Sequence, residues 1–224
     1  MRYLRNTSLS LAFLLIFVLA LIGQSVTGFL YNNEELTHHG QPTITYGDFI
    51  TSSEFIVDVA ENWQSEFLQF FLFILATIWL IQIGSPESKQ PGDEGVGTDE
   101  EQLVGEHAEA ESPAWAKVRG VRLWLYSNSL LLVMGAVFLF SWLAQSLAGH
   151  VVANEDNAMH GLPLDTWIEY VTSPEFWNRT LQNWQSEFLA VGAMVAFSIY
   201  LRQRGSGESK PVGVPHRISS VESD

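Results

Sequence analysis

Four apolar runs, separated by polar segments, set the pattern of this chain. The first, Ser8 to Leu30, holds 23 residues without a charge. As a helix it would reach about 34 Å, enough to cross the roughly 30 Å hydrocarbon core of a bilayer. The other runs predict spans over about 66–83, 127–149 and 186–203. Arg2 and Arg5 ahead of the first run give it the look of a secretory signal. A retained span is the better reading, because this run aligns without a gap with the internal run Ser129 to Gly149.

That alignment extends along most of the chain. Asn62-Trp63-Gln64-Ser65-Glu66-Phe67-Leu68 returns unchanged as Asn183-Trp184-Gln185-Ser186-Glu187-Phe188-Leu189, 121 positions later. The same offset holds from Leu4/Leu125 to Lys89/Lys210, with 33 identities in 86 positions. Elsewhere the copies mostly keep only apolar character, whereas this block keeps its side chains.

Before each copy of the block the pattern predicts a helix start. Thr51-Ser52-Ser53-Glu54 reads as a capping box, and Thr172-Ser173-Pro174-Glu175 repeats it. From there Phe55, Val59, Trp63 and Phe67 fall at i+4 spacing, with Glu54, Asp58, Asn62 and Glu66 as a polar stripe beside them. The second copy gives Phe176, Thr180, Trp184 and Phe188 beside Glu175, Arg179, Asn183 and Glu187. Each helix is expected to begin outside the bilayer and run inward, the first to about Ile83.

The predicted fold is an all-α membrane protein of four transmembrane helices, arranged as two parallel two-helix repeats about a pseudo-twofold along the membrane normal. Residues 1–89 form the first repeat and 122–210 the second. Between them, 90–121 is expected to be an acidic, disordered linker, with a short interfacial helix over Ala114 to Arg122 led by Trp115. The tail 211–224 is expected to be disordered as well. Ten of the eleven cations fall on one side of this topology, and only Arg179 on the other. The positive-inside rule then puts both termini and the linker in the cytoplasm.

Composition adds exclusions. The chain is 47% hydrophobic and 16% charged, with net charge −14 and pI near 4.7, so no basic surface for nucleic acid is expected. Without cysteine there is no disulfide, thiolate nucleophile or zinc–thiolate site. No phosphate loop, nucleophile elbow or catalytic triad is present, so no enzyme and no cofactor is expected.

The candidate chemistry is polar and lies at the outer helix ends. Glu66 and Glu187 stand where apolar runs begin, and ionisable groups at that depth are expensive. With Asn62, Gln64, Asn183, Gln185, Gln24 and Gln145 they form the predicted polar site. It is expected to bind a cation or an outer-face partner. The alternatives are a small proton or cation transporter or channel subunit that uses the paired Glu, and a structural or assembly factor in which the amides fasten helices together. A homo-oligomer or a membrane partner is a further expectation, and in the transporter reading a complete path would need oligomerisation. Asp58 and Arg179 occupy equivalent positions with opposite charge and are expected to attract, Glu175 being the rival partner. Trp63 and Trp184 are read as interface anchors. His39 and His160, each before Gly, are weak metal candidates, and a loop-anchoring role suits them better.

The duplicated two-span unit with its Asn-Trp-Gln-Ser-Glu-Phe block resembles a domain-of-unknown-function family of bacterial membrane proteins. The resemblance covers Arg2 to Lys210. It implies a bacterial inner-membrane setting with the lipid bilayer as partner, and no activity.

Overall fold

A computed structural model describes residues 5–219. The described residues are helical and contain no strand. In order they form α1 (Ser8–His38), α2 (Tyr46–Ile50), α3 (Ser53–Trp79), α4 (Val121–Ser127), α5 (Ser129–Met159), α6 (Trp167–Val171) and α7 (Pro174–Tyr200). The duplication is written in these bounds. α1 and α5 have 31 residues each, α2 and α6 five, and α3 and α7 27, and each pair starts 121 residues apart.

α1 and α5 run past their apolar stretches into polar sequence. No helix breaker intervenes before Gly40 and Gly161, each of which takes φ +69. Such a φ costs a side chain with Cβ but not glycine. α3 stops at Trp79, four residues short of the expected Ile83. The chain then turns toward Gly84 at φ +91, with the Gln82 N–H given to Ser88 Oγ. The short helix expected over Ala114 to Arg122 lies instead at Val121–Ser127. Its N-cap, Gly120, has φ +75 and ψ −147, a conformation that stops any helix from arriving earlier. From Gly84 to Gly120 the chain is a succession of turns with a 3-10 turn at Gly105–His107.

The chain divides into two compact units. The first contains the described residues up to Ala60 and Ala144–Ser173. Within it each copy builds the same small cap. Thr45 and Thr166 close capping boxes with Asp48 and Glu169. The Thr45 hydroxyl and then its backbone N–H hold the Asp48 carboxyl below its ordinary range. For Glu169 the backbone N–H of Thr166 acts first and its hydroxyl second. Phe49 packs over Gly28 and Tyr170 over Gly149, and a Cβ would collide with the Phe49 ring at the first glycine and with the Tyr170 hydroxyl at the second. Ser25 Oγ meets Tyr46 OH at 2.7 Å, and Ser146 Oγ accepts from Trp167 Nε1 at 3.3 Å. Asn33 brackets the backbone of Ile44, and Asn154 that of Asp165.

The capping box expected at Thr51 is corrected by this geometry. Thr51 Oγ1 donates back to Gly47 O and Asp48 O and so ends α2. Ser52 caps α3, its Oγ accepting from Phe55 N–H at 3.3 Å. The second unit contains Glu61–Leu143 and the described residues from Pro174 on.

Candidate functional site

In the second unit α3 and α7 are joined side chain to side chain. Arg179 Nε lies 2.5 Å from Glu61 Oε1, with side chains 32% and 13% exposed. Glu61 stands one turn beyond Asp58, the partner expected from the repeat alignment. About one turn further along, Trp184 Nε1 donates to Gln64 Oε1 at 2.7 Å. Trp184 is thereby held within the protein, in addition to any interface role.

An aromatic group surrounds this bond. The Trp142 ring lies 6.1 Å from Trp184, 6.1 Å from Phe176 and 5.9 Å from Trp177. Trp177 meets Trp184 edge to face at 6.5 Å. These spacings are those of favourable aromatic pairs. The first copy has Leu21 and Ile56 where the second has Trp142 and Trp177, so this cluster belongs to the second copy alone. Two buried N–H groups beside it have no acceptor, Gln64 Nε2 and Trp142 Nε1. Gln64 is fully buried. Its counterpart Gln185 is exposed.

Two residues beyond the amides stand the carboxylates. Glu187 is half-buried and Glu66 exposed. The Asn183 side chain donates to Arg179 O at 3.0 Å, and Asn62 is exposed. The serines of the block are structural. Ser65 Oγ returns to Asn62 O and Ser186 Oγ to Asn183 O, at 3.0 and 2.9 Å. Trp63 is 40% exposed.

The remaining expected site residues lie in the first unit. Gln145 is buried and Gln24 half-buried. His39 and His160 are exposed, and each ring Nδ1 meets a carbonyl of its own helix, Glu35 O and Asp156 O, both at 2.9 Å. They anchor helix ends. Among the described residues no group of three His, Cys, Asp or Glu side chains is gathered for a metal.

Sequence reading noticed Ser25 and Ser146 beside the amides but passed over Gly28/Gly149, Asn33/Asn154 and Thr45/Thr166, which with those serines build the caps. Each pair is identical between the copies, and that identity outside the seven-residue block was the available signal.

Fold and geometry together define an all-helical protein with two helices, α1 and α5, long and apolar enough to cross a membrane. The chain belongs to the family described as Domain of unknown function (DUF6766), whose model matches residues 1–221. No curated protein matches the chain. No solved structure matches it either.

Proposed function

We propose that this is a four-span inner-membrane protein of two parallel repeats, with both termini cytoplasmic, whose Glu66–Glu187 pair binds a cation at the outer end of the α3–α7 seam. The observation that carries the reading is a pair of carboxylates at equivalent positions, one of them half-buried, on the two helices that Glu61–Arg179 and Gln64–Trp184 join. Two carboxylates that repel at a membrane boundary call for a counter-charge. The cation nearest in sequence on α7, Arg179, is engaged by Glu61.

The parallel arrangement draws support from the partners along the seam. Glu61 with Arg179 and Gln64 with Trp184 join residues 118 and 120 apart, close to the 121 of the duplication. Near a twofold axis, equivalent positions approach one another. The membrane setting draws support from inverted burial. α1 buries Ser25, while Leu9, Phe13, Leu15, Leu19 and Leu30 are each at least 60% exposed. An apolar surface of that extent suits lipid contact.

The test is Glu66→Gln with Glu187→Gln, which removes charge and keeps shape. Purified protein is titrated with Na⁺, K⁺ and Ca²⁺ and followed by thermal unfolding. The proposal expects a cation-dependent rise in Tm in the parent that the double variant loses. An identical titration in both proteins would defeat it.

A structural reading has its own observation, the buried Trp184–Gln64 bond. It expects the same double variant to leave folding and cation response alike unchanged, and Trp184→Phe to impair folding.

A further inference from the structure

After α7 the chain turns through Gly205-Ser206-Gly207-Glu208-Ser209-Lys210, as it does after α3 through Gly84-Ser85-Pro86-Glu87-Ser88-Lys89. The two turns are built alike. Gln82 N–H donates to Ser88 Oγ at 2.8 Å and Gln203 N–H to Ser209 Oγ at 2.9 Å. Glu87 and Glu208 give their N–H groups to Ser85 Oγ and Ser206 Oγ, at 3.2 and 3.1 Å.

The closing lysines are used differently. Lys89 donates to Gly95 O, and Gly95 N–H returns to Ile78 O at 2.7 Å, on the helix that Lys89 itself follows. Lys210 is only 3% exposed. Its ammonium donates to Gly84 O, to His216 O at 3.0 Å and to Ile218 O at 2.9 Å. An ammonium has three N–H bonds, and all three are engaged. One acceptor belongs to the end of the first repeat and two belong to the tail.

Further contacts hold the tail in place. Gly84 N–H donates to Ser219 Oγ at 3.0 Å, and His216 O crosses so close to Gly84 that a Cβ there would collide with it. Arg202 gives Nη1 to Ser198 O and Ile199 O near the end of α7 and Nη2 to Val214 O at 3.1 Å. A buried ammonium is tolerated while its protons are bonded and is costly otherwise.

We propose that residues 211–219 are a clasp that ties the end of α3 to the end of α7, with the Lys210 ammonium as its pin, and that these ends part when the clasp lifts. The duplication gives this its force. The closing lysine stays with its own helix in the first copy and reaches across to the other repeat in the second. The clasp goes beyond the cation reading and does not depend on it.

The absence of cysteine makes the test clean. Ser85 Oγ and Ser198 Oγ lie 3.4 Å apart, so Ser85→Cys with Ser198→Cys reports the closure of the two ends. Disulfide formation in the full chain, in membranes with a permeant oxidant, is followed over time on non-reducing gels. Lys210→Met, and separately a stop after Lys210, are each expected to slow it about tenfold, the scale of one charge-assisted hydrogen bond. Arg204→Met, exposed on the same turn, is expected to leave the rate unchanged. Should Lys210→Met not accumulate, the truncated chain reads the same closure with the lysine intact. Parent-like rates in the truncated chain overturn the clasp, and so does equal slowing by Arg204→Met.

Discussion

Arg179 Nε lies 2.5 Å from Glu61 Oε1 at a place where the copies differ in charge. The equivalents of these two residues are Asp58 and Gln182, so the reciprocal pairing is not available. Exposed pairs contribute about 0–1 kcal/mol, and breaking a buried one costs about 3–5. With Glu61 largely covered and Arg179 half so, Glu61→Gln is expected to lower stability by about 1–3 kcal/mol. Glu61→Arg with Arg179→Glu is expected to recover most of the loss. Unfolding of purified protein in detergent checks both, and a neutral Glu61→Gln would refute the estimate.

Gln64 and Trp184 test the worth of a buried polar contact. Trp184→Phe leaves the fully buried amide with no partner at either end and is expected to cost about 1–3 kcal/mol. Trp184→Phe with Gln64→Leu removes both polar groups and is expected to cost less than Trp184→Phe alone. A double variant that sums the two single losses would show that shape, and not hydrogen bonding, holds this contact.

The orientation is tested with a reporter active only in the cytoplasm. It is expected to work when fused after Lys89 or after Lys210 and to fail after Gly40, as the ten-to-one division of cations requires. Activity of the Gly40 fusion would reverse the topology.

Glu87 gives a pH dependence. Burial, and then the charge of Glu208 with which it also shares a hydrogen bond, raise its carboxyl above the ordinary 4.5. A carboxyl raised on folding binds its proton more tightly in the folded protein, so it destabilises at neutral pH. That penalty fades as pH falls through the raised value toward 4.5. Glu87→Gln is therefore expected to melt higher than the parent at pH 7.5, with the gap closing as pH falls toward the ordinary 4.5. A gap that stays constant down to that pH would dissociate Glu87 from this junction.

Much of the architecture was legible before any coordinates. Apolar runs, helix-starting residues and the 121-residue offset anticipated the long helices, because periodicity and breakers act locally. The match between α1 and α5, or α3 and α7, needs nothing beyond the chain itself. The caps were half legible. Ser25, Gly28 and Asn33 are identical to Ser146, Gly149 and Asn154, yet their partners Tyr46, Phe49 and Ile44 are not identical to Trp167, Tyr170 and Asp165. A pattern search sees one side of each contact.

Tertiary structure decided which of two identical residues is buried. Gln64, which accepts from Trp184, is covered and Gln185 is exposed; the aromatic group around Trp184 draws on Trp142 and Trp177, where the first copy has Leu21 and Ile56 in sequence. It also decided the course of the tail. By composition 211–224 lacks the apolar surface to hold a shape. Residues 211–219 are held instead through carbonyls at His216, Ile218 and Val214. Every residue carries a backbone carbonyl, so no side-chain pattern marks the ones that will surround Lys210. Only the path of the folded chain selects them.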